Sequence, residues 1–161
     1  MPFFFCGILI LGSDTMNYIR KATKKDLSRI AEILVFSKRL NYRSIFHNDD
    51  FSFNELQVDR VMEEYKDKLD TIWVYDDGIV KGLIQIKSEE VETLYVDSFF
   101  TSQGIGTKLM NFAIETYNVK YLWVLEKNLG AQRFYKRFGF QYGDKKLNEP
   151  ETTEYLIEMR R

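Results

Sequence analysis

Leu94-Tyr95-Val96-Asp97-Ser98-Phe99-Phe100-Thr101-Ser102-Gln103-Gly104-Ile105-Gly106-Thr107-Lys108-Leu109 joins a β-rich run to a helical repeat through a turn that holds two glycines. The run at 91–96 has the β-branched and aromatic content of a strand, and 104–117 places Ile105, Leu109, Phe112 and Ala113 on one helical face. Glycines at the head of a helix let backbone N–H groups approach an anion closely. The aligned peptide dipoles add roughly half a positive charge at that end. The stretch therefore predicts strand, pyrophosphate seat and helix in succession. It is not a P-loop, because no Gly-Lys-Ser/Thr follows, and it lacks the third glycine and downstream acid of a dinucleotide fingerprint. On its own, Gly-x-Gly reads first as a turn for close strand-to-helix packing.

Outward from this stretch, strand-like and helix-like segments alternate. Towards the N-terminus, a strand near 18–21 precedes Thr23-x-x-Asp26, a capping-box spacing, and then Leu27, Ile30, Ile33 and Leu34 at helical intervals. That helix is expected to run to about Leu40. After an aromatic loop, Ser52-x-x-Glu55 repeats the capping pattern ahead of Leu56, Met62, Tyr65 and Leu69, predicting a second helix. The β-rich runs 72–75 and 79–86 flank Asp76-Asp77-Gly78, whose Asp-Gly pair suits a tight hairpin. Towards the C-terminus come a strand at 121–124, a helix over 129–138 closed by Gly139, and a final hairpin of 140–142 with 154–159. The sum is a mixed α/β sheet flanked by helices.

A second segment carries chemistry. Trp123-Val124-Leu125-Glu126-Lys127-Asn128 leads into Ala131-Gln132-Arg133-Phe134-Tyr135-Lys136-Arg137-Phe138-Gly139-Phe140. With the glycine turn before it, this resembles the GNAT superfamily of acetyl-CoA-dependent N-acetyltransferases. In that family a strand, a Gln/Arg-x-x-Gly-x-Gly/Ala turn and a helix hold the CoA pyrophosphate; a later strand, an Asn and a Phe-Tyr-x-x-x-Gly-Phe segment complete the site. The resemblance runs from about Asn17 to the C-terminus, and the paired motifs specify the superfamily but no substrate.

The resemblance implies an α/β (α+β) fold, with a mixed, mostly antiparallel central sheet of about six to seven strands flanked by about four helices. It implies acetyl transfer from acetyl-CoA, as cosubstrate, to a primary amine of a small molecule or peptide, by direct transfer without a metal. Leu94, Tyr95 and Val96 would offer backbone groups to the pantetheine arm and the acetyl carbonyl, an oxyanion-hole arrangement. Ser102, Gln103, Gly104, Ile105, Gly106 and Thr107 would wrap the pyrophosphate. Asn128 matches the family asparagine on the CoA arm, and it reads equally as a helix N-cap. Tyr135 matches the tyrosine near the thioester sulfur, whose phenol can protonate the departing thiolate. One departure stands at the first turn position, where Thr101 replaces Gln or Arg and Ser102 follows in place of the usual small residue. Backbone N–H groups still supply the main anion contacts there. This departure also suggests the alternative of a non-catalytic acyl-CoA-binding sensor or partner-binding module.

An amine with a pKa of about 10.4 must lose a proton before it attacks a thioester. Glu90 and Glu92 are candidate acceptors; Glu90 aligns with an acid often found at the start of this strand in similar enzymes, and both read equally as solvated carboxylates. Acceptor choice is expected in the loop Asn41-Tyr42-Arg43-Ser44-Ile45-Phe46-His47-Asn48-Asp49-Asp50-Phe51. There Tyr42, Phe46, Asp49 and Asp50 could receive a cationic amine with an apolar body, or simply pack as a lid. His47 reads as a loop residue.

Composition narrows the classes further. A chain of 161 residues, 45% hydrophobic and 16% aromatic, supports one core and one domain, here 16–161. Lys and Arg total 23 against 24 Asp and Glu, interspersed, which argues against a nucleic-acid partner. The single Cys6 and single His47 provide neither an internal disulfide nor a Cys/His metal cluster, so a reducing, cytoplasmic setting is expected. The apolar start, Met1-Pro2-Phe3-Phe4-Phe5-Cys6-Gly7-Ile8-Leu9-Ile10-Leu11, lacks a basic flank and is too short to span a bilayer, so no membrane association is expected. Residues 1–15 read as an extension ahead of Met16, either from a misassigned start or as an added edge strand or oligomer contact. The resemblance extends to a homodimer, with which the aromatic surplus is compatible.

Overall fold

The structure, a computed structural model, describes residues 18–161, so the readings of 1–15, Cys6 and Met16 fall outside the described residues. Strands form where β-branched and aromatic residues concentrate, because these side chains pack well on a pleated surface. They are β1 (Ile19–Lys21), β2 (Ile72–Asp76), β3 (Val80–Lys87), β4 (Glu90–Val96), β5 (Tyr121–Leu125), β6 (Gln141–Asn148) and β7 (Tyr155–Arg160). Together they form one seven-stranded sheet in the order β1-β2-β3-β4-β5-β7-β6. Every pairing is antiparallel except that of β4 with β5. The α-helices are α1 (Leu27–Phe46), α2 (Val58–Tyr65), α3 (Ile105–Tyr117) and α4 (Leu129–Lys136). This is the mixed, mostly antiparallel sheet with flanking helices that the sequence predicts. Among the described residues no helix is long and apolar enough to cross a membrane.

Each face of the sheet carries its own apolar layer. On one, Ile30, Ile33 and Leu34 of α1 and Val61 and Tyr65 of α2 meet Ile72, Val74 and Leu83. On the other, Leu109, Met110 and Phe112 of α3 meet Ile84, Ile86, Leu122 and Met159. Leu34 and Leu109 are fully buried, and burial of such a side chain stabilises by about 1.5–3 kcal/mol. The entry to α1 is tied by charge. Asp26 accepts from the Thr23 amide at 2.8 Å and the Thr23 hydroxyl at 2.9 Å, and pairs with Arg20, which also reaches Asp76 on β2. The Arg20 guanidinium holds the Asp26 carboxyl down at about 2.

Three elements differ from the sequence reading. Helix α1 continues to Phe46 instead of stopping near Leu40, because no Gly or Pro interrupts 41–46; His47 closes it in the left-handed region at φ 51°. Tyr42 and Phe46 are therefore helical residues. Ser52 does not cap a helix: it lies in a π-helical turn, Phe51–Glu55, with its hydroxyl donating to the Asn48 carbonyl at 2.9 Å, and α2 begins only at Val58. Strand β6 extends to Asn148, well past Tyr142, across a register shift between Tyr142 and Lys146. Its exposed, polar 144–148 stretch has no apolar alternation to read.

The feature that positions the site lies in the middle of the sheet. β4 and β5 pair only at Glu90↔Tyr121 and Val91↔Leu122 and then part. Against β3, Gln85 pairs with Thr93 but Ile86 pairs with Val91, so Glu92 is the extra residue of a bulge. A bulge bends a strand and increases its twist, which turns β4 away from β5.

Candidate active site

The parting leaves the β5-facing backbone of residues 93–95 without a strand partner and opens a cavity of about 590 Å³. β4 contributes Leu94, Tyr95 and Val96 to its wall, and β5 contributes Trp123, Val124 and Leu125. Leu94 and Val96 lean towards the α3 layer and Tyr95 towards the α1 layer, as the period-two alternation of a strand requires. The cleft thus passes between the sheet's two layers.

At one end is the glycine turn. Ser102 (φ 62°) and Gly104 (φ 79°) both occupy the left-handed region, and a Cβ on Gly104 would meet nothing, so backbone conformation and not space demands glycine there. Lys108 N–H donates to Gly104 O, the first bond of α3, so the N–H groups of Ile105, Gly106 and Thr107 lack intrahelical acceptors. The Ile105 side chain itself is core. A Cβ on Gly106 would touch the Phe134 ring at 3.4 Å, so this residue allows the close approach of α3 to α4. The turn is anchored below. Asp97 accepts from Phe99 N–H at 2.9 Å and from Arg29 Nη2 at 2.6 Å, and the Thr101 hydroxyl donates to the Ser98 carbonyl at 3.2 Å. Thr101 and Gly106 line the cleft, and Ser102, Gln103 and Gly104, between them in the turn, are exposed.

Helix α4 enters at the side. Asn128 Oδ1 accepts from Ala131 N–H at 3.2 Å, capping the helix, and the same residue lines the cleft. The two readings of Asn128 are therefore compatible. Two turns on, Tyr135 faces the cavity, packed against Phe134 and Phe140 at ring separations of 5.3 and 6.2 Å. Burial pushes its phenol well above the usual tyrosine range, and the neighbouring Tyr42 adds to this. Tyr95 and Tyr42, whose hydroxyls meet at 2.5 Å, are likewise raised by burial. At neutral pH all three are O–H donors, not phenolates.

The other end lies under α1. Lys38, Asn41 and Tyr42 reach it from that helix, Glu92 from the bulge and Glu149 from the turn between β6 and β7. Burial lowers Lys38 and raises Glu149, each opposed by the other's charge.

Several expected residues lie elsewhere. Glu90 sits at the start of β4 beside the Tyr121 hydroxyl and is not part of the cavity wall. Phe46 packs between Tyr42 and Phe51, Asp49 is paired with Arg43 at 2.7 Å, and Asp50 accepts from Asn54. Of the acceptor loop, only Asn41 and Tyr42 reach the cleft. Lys38, Glu149 and the Tyr95 side chain carried no signal in the sequence reading, which used Tyr95 for its backbone alone.

Comparison with known proteins agrees with this geometry. Residues 68–142 match the model of the acetyltransferase (GNAT) domain. The chain is 44% identical over 57 residues to an uncharacterized N-acetyltransferase of Methanocaldococcus jannaschii, covering 32% of this chain and 25% of that protein. It is 31% identical over 74 residues to a probable spermine N(1)-acetyltransferase of Bacillus subtilis subsp. natto, covering 42% of this chain and 45% of the other. The chain thus spans less than half the length of either curated relative. The fold superposes with a TM-score of 0.63 on the PaiA N-acetyltransferase of Thermoplasma acidophilum in complex with coenzyme A, at 20% identity over 89% of this chain and 98% of that one.

Proposed function

We propose that this chain, which carries a GNAT acetyltransferase domain on the GNAT fold, moves an acetyl group from acetyl-CoA to a primary amine of a small molecule or peptide by direct transfer. One observation carries the reading: free N–H groups at the head of α3, unpaired β4 backbone and the Tyr135 phenol all border one continuous cleft.

The pyrophosphate would sit on the N–H groups of the glycine turn, where the helix end favours an anion. The pantetheine arm would lie between β4 and β5, where it can bond to backbone that β5 leaves free. The amine nitrogen attacks the thioester carbonyl from the α1 side, the C–S bond breaks, and the Tyr135 proton passes to the sulfur. A β4 N–H would meet the developing oxyanion without reorganising. The amine's own proton leaves towards water at the mouth between Glu92 and Glu149. Glu90, the other proton acceptor considered from sequence, is too far along β4 to line that mouth.

Thiol release from acetyl-CoA tests this against a panel of polyamines, amino acids and lysine or N-terminal peptides, with acetyl-CoA binding measured separately by calorimetry. The name of the Bacillus relative makes spermine a natural member of the panel. Turnover with one amine class supports the enzyme. Binding without turnover across the panel favours an acyl-CoA sensor, and failure to bind at millimolar acetyl-CoA sinks both.

A further inference from the structure

Two oppositely charged groups at the α1 end of the cleft are half-buried and form no ion pair with each other. Lys38 projects from α1 and Glu149 from the β6–β7 turn, and both line the same cavity. The carboxylates whose charge Lys38 feels are Glu64 and Glu149; Glu64 is engaged by Lys68 at 3.0 Å. Glu149 stays more than 4.0 Å from Lys38, outside salt-bridge range. Its turn is fixed: Glu149 N–H donates to the Glu154 carbonyl at 2.8 Å, and its own carbonyl accepts from the Thr152 amide and hydroxyl.

Leaving an ammonium and a carboxylate partly dehydrated costs free energy unless something between them supplies the opposite charges. Asn41 and Tyr42, one turn on from Lys38, bring an amide and a hydroxyl to the same wall. We infer that Lys38 and Glu149 select an acceptor that carries a carboxylate close to its amine, an α-amino acid or similar zwitterion, with Lys38 on the carboxylate and Glu149 on the amine. The Tyr42 hydroxyl on the same wall meets that of Tyr95, which joins this end of the cavity to β4. A polyamine would instead bring a second cation against Lys38. This inference rests on the acetyltransferase reading for the meaning of the site, but its test does not.

The test is equilibrium binding, by calorimetry on the full chain with CoA present, of each proteinogenic α-amino acid beside the amine that lacks its carboxylate. At least one amino acid is expected to bind about tenfold or more tightly than its decarboxylated partner. Lys38→Met is expected to abolish that preference without weakening the amine, Lys38→Arg to retain it, and Lys38→Glu to reverse it towards diamines. Circular dichroism and acetyl-CoA affinity report whether each variant folds. Pairs that bind alike, no binding by any member, or equal weakening of both members by Lys38→Met overturn the inference. Discrimination without thiol release would instead overturn the acetyltransferase reading alone, and thiol release indifferent to the carboxylate would overturn only this one.

Discussion

The Tyr42 hydroxyl of α1 lies 2.5 Å from the Tyr95 hydroxyl of β4, so the helix over the acceptor end is pinned to the strand that borders the opening in the sheet. Tyr42→Phe would leave Tyr95 without this partner at the cost of about 1 kcal/mol, the usual net worth of one neutral hydrogen bond. Because Tyr42 stands on the α1 side, the acceptor KM is expected to rise about fivefold while the acetyl-CoA Kd stays constant. Equal loss for both substrates would place Tyr42 outside acceptor recognition.

Tyr135→Phe keeps the ring that packs on Phe134 and Phe140 and removes only the proton donor. Steady-state kinetics should show kcat lowered by about 10²–10⁴, with the melting temperature little changed. Burial raises this phenol, so it remains protonated beyond the ordinary tyrosine pKa of about 10. The wild-type pH-rate profile should accordingly show no fall from its ionisation below that value. An unchanged kcat in the variant would remove Tyr135 from the chemistry.

Gly82 of β3 fills a place where a Cβ would come within 3.0 Å of the Tyr95 carbonyl and 3.2 Å of Ile105 Cγ2. Gly82→Ala must therefore move β4 or the head of α3. Chemical denaturation is expected to show a loss of about 1–3 kcal/mol, accompanied by weaker acetyl-CoA binding. Full stability in the variant would mean that α3 is not seated as closely as this contact requires.

Asn128 has two separable roles. Asn128→Ala should cost about 1 kcal/mol of stability through the lost cap on α4. Asn128→Asp retains a capping oxygen but adds an anion to the cleft wall, so it should preserve stability while weakening acetyl-CoA. If both variants bind acetyl-CoA normally, Asn128 is a cap alone.

Asp26 is depressed to about 2 from an ordinary value of 3.8, chiefly by its hydrogen bond with Arg20. Its contribution is thus fully present above the unfolded pKa and disappears as pH falls through the folded one. By linkage it amounts to about 2 kcal/mol, lost between roughly pH 4 and pH 2. Asp26→Asn should flatten the acid limb of a stability-versus-pH curve over that window; an unaltered limb would show that the pair contributes nothing.

The glycine turn and α3 were legible because two local signals coincide there, the positive-φ demand met by Gly104 and a helical stripe through Ile105, Leu109 and Phe112. Tyr135 was legible through its motif and stands in the cleft. The second half of α1 was not, since Asn41, Arg43 and Ser44 are polar and exposed and nothing in 41–46 marks where the helix stops. That shortened helix turned Tyr42 and Phe46 into loop residues and grouped them with Asp49 and Asp50, which tertiary geometry turns elsewhere. Lys38 and Glu149 face one cavity only because the fold brings α1 and a turn near the other end of the chain to the same cleft. No spacing rule links them. Glu90 and Glu92 were alternatives that only the bulge distinguishes, because the extra residue it introduces at Glu92 reaches the cleft wall while Glu90 does not.

The place where β4 leaves β5 has a consequence for how this protein can diverge. Its proposed contacts there belong to the main chain, which every amino acid possesses, so the letters at 94 and 96 are loosely constrained provided they stay apolar, while residue 95 is held by its hydroxyl contact with Tyr42. Agreement in fold with another protein at only 20% identity is what such an arrangement permits. Count is another matter. Dropping or adding one residue in β4 would turn every later side chain to the opposite layer and close or misplace the gap. Over evolutionary time, then, this segment should accept substitution on either side of Tyr95 and refuse changes of length.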